Sequence, residues 1–236
     1  MREPELPAVV SRYLARALPD GEGAADRVRL AQTGVMRQSP KGRWLRFRAE
    51  EELAVGAVAF TWHARFSMGP LLGLQVVDRY AHGEGTLDGR LWGHIPVMKS
   101  AGPYTAEGQA LRYLAELFWV PHALRANEEL EWDAVDEHTV DVSTRVGPKR
   151  VTVRLGFDED GDIASAHAAS RPRLVGKQAI LTPWTGEVSD YAELGGVRIP
   201  TRAEVRWELP EGPFTYWRGT VTSLEFGQSG SSSIPS

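Results

Sequence analysis

The chain has 236 residues, of which 42% are hydrophobic and 25% charged, and these proportions are typical of a soluble globular protein. A formal net charge of −4 argues against nucleic acid as a partner, because domains that bind nucleic acid usually carry a basic face. The absence of cysteine excludes disulfides and thiol chemistry, and no stretch approaches the roughly 18 apolar residues of a transmembrane helix.

An amphipathic helix is predicted over residues 5–18. Its apolar positions repeat at helical spacing and would form one buried face: Leu6, Val9, Val10, Tyr13, Leu14, Ala17 and Leu18. Pro19, Asp20 and Gly21 would end the helix. The first residues, MREPELPAVV, lack a basic segment followed by an apolar run. We therefore expect no signal peptide and a cytoplasmic protein, with the periplasm as the alternative.

Residues 28–97 have the pattern of roughly six strands. Phe60, Trp62 and Ala64 alternate with polar neighbours, which is typical of a strand with one buried face. Four glycines follow the strand predicted over residues 72–80 and are interpreted as turns or bulges: Gly83, Gly85, Gly89 and Gly93.

A second helix is predicted over residues 105–126, with Thr105 as its cap, and roughly seven strands over residues 129–226. The acidic run Asp158–Asp162 is interpreted as a hairpin turn, because its glycine and its twelfth position do not match a calcium-binding EF-hand loop.

The predicted order is therefore helix, strands, helix, strands. Short turns between consecutive strands favour antiparallel pairing, and two helices cannot cover both faces of so many strands. The predicted fold class is α+β: a strongly curved antiparallel sheet, an incomplete β-barrel, wraps around the central helix, with the N-terminal helix beside it. Residues 1–226 would form a single domain, and residues 227–236 a disordered tail of low complexity.

Several stretches resemble a bacterial family catalogued only as a domain of unknown function: LPAVVSRYLARAL, VVDRYAHGEGTLDGRLWGHIPV, ALRYLAELFWVPHAL, DYAELGGVRIPTRAEVRW and YWRGTVTSLEF. The order of helices and strands, together with the strand–turn–strand stretch from Tyr191 to Pro200, also resembles the LolA-type lipoprotein carriers. That resemblance implies an incomplete barrel that wraps helices and holds acyl chains or other hydrophobic ligands.

Arg112 and Glu116 are the first candidates for a site. They are four residues apart and share one side of a helix that is otherwise apolar almost all round. Such a helix is buried, so its charged groups need partners. Arg112 would either anchor an acidic head group inside a ligand cavity or form a salt bridge with Glu116 on the single polar stripe of the helix.

Pro121 and His122 follow directly. Pro121 removes a backbone donor, which predicts a kink or a helix end near Val120. His122 is six residues beyond Glu116, on a different helix face, so the pair does not match a zinc-binding spacing. A surface or hydrogen-bonded histidine is favoured over a catalyst, and neither a metal nor a cofactor is expected.

Asp78 shares a strand face with Tyr80 and could point inward, where it would need partners. The candidate partners are Arg112, Arg171, Arg173 and Tyr191. The chain also contains eight tryptophans, including Trp62 and Trp119, which would fill a core or line a cavity for an apolar ligand.

These observations favour a binding protein for a hydrophobic or lipid-like small molecule, held between the curved sheet and the central helix by Arg112, Glu116, Trp119, Trp62, Asp78 and Tyr80. One alternative is an enzyme, a hydrolase or an isomerase, with a carboxylate–arginine site on the concave face. Another is an interaction module that uses an exposed strand edge. The binding role is favoured because no catalytic motif is present, and the oligomeric state stays open.

Overall fold

The computed structural model describes residues 6–18, 25–69, 72–176 and 178–227. The predicted turn at Pro19–Gly21 lies outside these residues, as does the predicted tail beyond Gly227.

Three α-helices, one 3-10 turn and thirteen strands make up the described chain. The helices are α1 (Ala8–Ala17), α2 (Pro103–Ala115) and α3 (Pro121–Ala126), with the 3-10 turn at Leu117–Trp119. The strands are β1 (Arg27–Met36), β2 (Leu45–Ala54), β3 (Phe60–Ser67), β4 (Gly73–Ala81), β5 (Glu84–Leu91), β6 (Ile95–Ala101), β7 (Glu131–Ala134), β8 (Thr139–Val146), β9 (Lys149–Phe157), β10 (Ile163–Val175), β11 (Gln178–Leu194), β12 (Val197–Leu209) and β13 (Gly212–Gly227).

All described strands belong to one curled antiparallel sheet in the order β6-β5-β4-β3-β2-β1-β13-β12-β11-β10-β9-β8-β7. Each half is a meander of consecutive strands, and the halves join where β1 pairs with β13, from Arg27 opposite Gly227 to Met36 opposite Trp217. The predicted incomplete barrel with six strands before the central helix and seven after it is confirmed.

The sheet ends at β6 and β7, and the chain between these two edges contains α2, the 3-10 turn and α3. Helix α2 contacts β4, β5 and β6 in one half and β8, β9 and β10 in the other. It therefore packs against strands of both halves. Edge strand β6 exposes Ile95 and Val97 and contains Pro96, which lacks a backbone donor. Use of such an edge by a partner protein stays a prediction.

The central helical segment differs from the single helix predicted over residues 105–126. Helix α2 begins at Pro103, and Thr105 hydrogen-bonds Ser100 through their hydroxyl groups at 2.6 Å instead of capping the helix. The helix ends before Glu116, and Pro121 is the first residue of α3. Proline is accommodated there because the first helical N–H has no intrahelical partner. The predicted break near Val120 is therefore present, as the start of a second helix.

Gly85 and Gly89, predicted as turns or bulges, are not turn residues, because strand β5 runs through both. The register with β6 shifts between Gly89 and Arg90, which agrees with a bulge at Gly89. A Cβ atom on Gly85 would lie 2.7 Å from the Cα atom of Ala106 in α2. At Gly85, glycine is thus needed because β5 lies close against α2, and not for chain reversal.

None of the helices in the described residues is long and apolar enough to cross a bilayer.

Candidate functional site

A cavity of about 690 Å³ lies between α2 and the sheet. Its walls come from both halves of the sheet, from α2 with Gly108 and Arg112, and from Glu116, which directly follows this helix. The lining is rich in aromatic side chains: Trp62, Phe66, Tyr104, Phe118, Trp119, Trp184, Trp207, Phe214, Tyr216 and Trp217. Five of the eight tryptophans thus line this cavity, and three of them, Trp62, Trp119 and Trp184, are also buried in the core.

A row of residues across the first half of the sheet forms the polar part of this region. Glu51 on β2 is opposite Trp62 on β3, and Trp62 is opposite Asp78 on β4. Directly paired residues of an antiparallel sheet project from the same face. The strand register therefore places two carboxylates on either side of one indole ring.

Arg112 of α2 lies over this row. Its Nη2 donates to Oε1 of Glu51 at 2.7 Å, and its Nη1 donates to Oδ2 of Asp78 at 3.0 Å. Its Nε donates to Oε1 of Glu116 at 2.8 Å, and its guanidinium lies 5.0 Å from the centroid of the Trp62 ring. One guanidinium thus binds three carboxylates and stacks on an aromatic face.

Neutral amides complete the network. The Nε1 of Trp62 donates to Oε1 of Gln32 at 2.9 Å, and Nε2 of Gln32 donates to Oε2 of Glu51 at 2.8 Å. On the other side, Nε2 of Gln109 donates to Oδ1 of Asp78 and, at 3.0 Å, to the carbonyl oxygen of Thr86. Each carboxylate that flanks Trp62 thus accepts one charged and one neutral hydrogen bond.

Burial shifts the pKa values of this cluster. It raises the pKa of Glu51 well above the ordinary glutamate value, helped by the nearby charge of Glu116 and opposed by Arg112. Burial also raises the pKa of Glu116, although Arg112 opposes it.

Burial by itself would lower the pKa of Arg112, but Glu116, Glu51 and Asp78 outweigh it and raise that pKa. Arg112 is therefore permanently charged, and each of its nitrogens already donates to a carboxylate. Three carboxylates around one guanidinium leave no excess positive charge, so the geometry disfavours Arg112 as the ligand of an acidic head group.

A family model described as "Family of unknown function (DUF6544)" matches residues 2–219. The chain belongs to this family. The predicted membership of a family catalogued only as a domain of unknown function is thereby confirmed. No curated protein gives a significant match.

Two solved structures are similar over most of the chain. A DUF1329 family protein from Desulfovibrio piger has a TM-score of 0.50 at 10% sequence identity, over 94% of this chain and 92% of that one. A LolA superfamily protein from Nitrosomonas europaea has a TM-score of 0.42 at 10% identity, over 94% of this chain and 93% of that one. At 10% sequence identity, the similarity to the DUF1329 family protein concerns the fold alone.

Of the predicted site residues in this DUF6544 member, Arg112, Glu116, Asp78, Trp62 and Trp119 line the cavity. Trp119 is fixed there by its Nε1, which donates to the carbonyl oxygen of Pro200 at 2.9 Å.

Tyr80 is almost fully buried and is not part of the lining. His122 also lies away from the cavity, in edge-to-face contact with the ring of Phe226 at 4.8 Å. Of the four candidate partners of Asp78, Arg112 forms the ion pair, whereas the hydroxyl of Tyr191 donates to the carbonyl oxygen of Ile163.

Glu51 and Gln32 were missed in the sequence, although strand alternation marks both. In β2, Phe47, Ala49, Glu51 and Leu53 are the buried positions, so Glu51 occupies an inward position between apolar ones. In β1, Gln32 continues the buried series of Val28 and Leu30. A polar residue in phase with a buried apolar series was the available signal.

Within the described ranges, no group of histidine and acidic side chains is arranged to hold a metal ion. The Asp158–Asp162 segment forms the turn between β9 and β10, where the backbone N–H of Asp162 donates to Oδ1 of Asp158 at 2.9 Å. The carboxylate of Asp162 is bound by both terminal nitrogens of Arg198, at 2.5 and 2.7 Å. This arrangement holds a hairpin in place.

Proposed function

We propose that the protein binds a hydrophobic or lipid-like small molecule in the cavity between α2 and the sheet. The observation that carries the proposal is the size and lining of this cavity: about 690 Å³, bounded largely by aromatic and aliphatic side chains. Sites for small molecules usually have several hundred Å³, a mostly apolar wall and a few polar groups.

The polar cluster supports this role as a fixed part of the wall. Arg112, Glu51 and Asp78 tie α2 to two strands through 2.7 and 3.0 Å hydrogen bonds. Charged groups that are bound to one another can border an apolar ligand without being left unpaired. The cluster would thus hold the helix in place and keep the cavity open.

A cavity-filling variant tests the proposal. Gly108 of α2 lines the cavity, and a Cβ atom there would meet only the carbonyl oxygen of Pro172, at an ordinary 3.8 Å. Gly108→Leu should therefore extend into the open space without a backbone clash, and Gly108→Ala is the matched control. Native mass spectrometry and solvent extraction of the gently purified protein would identify a bound molecule.

We expect a bound apolar molecule in the wild type and in Gly108→Ala, and its loss or strong reduction in Gly108→Leu. Wild-type protein that carries no molecule, and that binds none when offered apolar probes, would contradict the proposal.

An acid–base enzyme is the second candidate, favoured by one observation. Glu116 lines the cavity, and burial raises its pKa, as is common for groups that transfer protons. A panel of ester substrates would test this candidate. Turnover by the wild type that is lost in Glu116→Gln would support it, and no turnover of any ester would leave binding as the better proposal.

A further inference from the structure

Arg171 and Arg173 of β10 form a second group of charges at the cavity, separate from the Arg112 cluster. They are two residues apart on one strand, so their side chains leave the same face, and both line the cavity. The Arg171 guanidinium lies 4.8 Å from the Trp184 ring centroid and 5.6 Å from that of Trp207. The Arg173 guanidinium lies 5.9 Å from the same Trp207 ring.

Stacking on an indole fixes a guanidinium plane while its N–H groups, which lie in that plane, can still donate to an anion. Across the described ranges, neither Arg171 nor Arg173 has a carboxylate within 4.0 Å. Arg171 is close enough to Glu116 to lower the pKa of that carboxyl, but Glu116 forms its ion pair with Arg112. The two arginines are thus oriented by aromatic rings without a salt bridge.

The other charges that line the cavity have partners. Asp78 and Glu116 are bound to Arg112 at 3.0 and 2.8 Å. Arg37 donates to the carbonyl oxygens of Thr215 and Pro40 at 2.8 and 2.9 Å. Among the described arginines that line the cavity, Arg171 and Arg173 are thus the two that have neither a carboxylate nor a carbonyl oxygen as a partner.

The same strand leads to the mouth of the cavity. Leu174 and Val175 follow Arg173, and together with Tyr104 of α2 they line the cavity while remaining 55%, 42% and 57% exposed. A ligand whose apolar part lies inside would thus have its end near the two arginines and close to solvent.

We propose that Arg171 and Arg173 bind the anionic group, a carboxylate or a phosphate, of an amphiphile whose apolar part occupies the cavity. This inference rests on the proposed binding function and deepens it. The proposed binding site of the acidic head group is therefore at Arg171 and Arg173, near the mouth of the cavity, and not at Arg112.

The test compares probes that share one alkyl chain: dodecyl phosphate, dodecanoate, dodecanol and dodecyltrimethylammonium, each below its micelle concentration. Titration followed by tryptophan fluorescence and calorimetry gives the affinities. We expect at least one anion to bind roughly tenfold more tightly than dodecanol, because only the anions add charge attraction to their hydrogen bonds with the guanidinium groups; tenfold corresponds to about 1.4 kcal/mol. A preference for dodecyl phosphate over dodecanoate, or the reverse, identifies whether the anionic group of the ligand is a phosphate or a carboxylate.

The variant arm uses Arg171→Gln with Arg173→Gln. This double variant should lose the anion preference while its affinity for dodecanol stays within about twofold, because an uncharged probe has no ionic contact to lose. Arg171→Lys with Arg173→Lys should keep part of the preference, which separates charge from folding. Arg65→Gln, on the exposed face of β3, is the matched control and should bind as the wild type does.

The inference is overturned if dodecanol binds as tightly as both anions, if the cationic probe binds most tightly, or if the double glutamine variant keeps the anion preference. Failure of the underlying binding function has a different signature, since none of the four probes would then bind.

Discussion

Arg112 and Glu51 form an ion pair across 61 residues of sequence, with 2.7 Å between Nη2 and Oε1 and with the Glu51 side chain fully buried. The pair joins the central helix to strand β2. Removal of the guanidinium would leave three partly or fully buried carboxylates without their common partner.

Arg112→Met should therefore lower the free energy of unfolding by about 3–5 kcal/mol, the range found when one partner of a buried ion pair is removed. Urea denaturation followed by circular dichroism measures the change. Arg65→Gln on the exposed face of β3 should change it by less than about 0.5 kcal/mol. Equal effects of the two substitutions would show that the cluster does not contribute to stability.

The raised pKa values of Glu51 and Glu116 predict a pH dependence of stability. A carboxyl whose pKa is higher in the folded state binds more protons there than in the unfolded chain, so this contribution falls as pH rises from the unfolded value through the folded one. In the wild type, the free energy of unfolding should fall as the pH rises from mildly acidic to mildly alkaline. Glu51→Gln mimics the protonated form and cannot lose a proton, so we expect a smaller fall in this variant.

Denaturation at a series of pH values measures that slope. Glu52→Gln, one residue along the same strand and part of exposed ion pairs with Arg27 and Arg29, is the control and should retain the wild-type slope. A Glu51→Gln slope as steep as that of the wild type would contradict a raised pKa of Glu51 in the folded protein.

Gly108→Ala should stabilise the protein by about 1 kcal/mol, because alanine has the higher helix propensity. Its position inside α2 and the 3.8 Å distance from a new Cβ to the carbonyl oxygen of Pro172 allow the methyl group. A rise in the thermal midpoint is the expected result. A lower midpoint would mean that the space beside α2 is tighter than the structure indicates.

Gly85→Ala should destabilise the protein by about 1–3 kcal/mol through overpacking, because its Cβ would lie 2.7 Å from the Cα of Ala106. Gly89→Ala on the same strand is the matched control, since its closest contact, at 2.9 Å, is the flexible end of Met98. Thermal unfolding of the two variants should give a clearly lower midpoint for Gly85→Ala.

The sequence predicts the fold well because each of its signals is local. Alternation marks strands, short turns imply antiparallel neighbours, and an apolar helix between two runs of strands must be covered. The position of the helix break is harder to predict, because α2 ends at Ala115, six residues before Pro121, the proline that signals a stop.

The composition of the site depends on register, which the sequence leaves open. Glu51 and Asp78 meet Arg112 because β2, β3 and β4 pair with Trp62 opposite both carboxylates. A shift of one residue in either pairing would turn a carboxylate to the outer face. The sequence offers Arg171 and Arg173 only as candidate partners for Asp78, whereas in the structure they stack on Trp184 and Trp207 as a separate group.

The pairing of β1 with β13 bears on the order in which the protein assembles. Residue 27 meets residue 227, so this ladder forms only after nearly the whole sheet-forming chain is available. Strand β1 can pair with β2 early, because the two strands are consecutive and their paired residues are only 9 (Met36 and Leu45) to 27 (Arg27 and Ala54) positions apart. The other edge of β1 stays unpaired until β13 is available, and contacts between residues so far apart in sequence slow folding. During synthesis, a partner for that waiting edge, whether a chaperone or another nascent chain, would compete with β13.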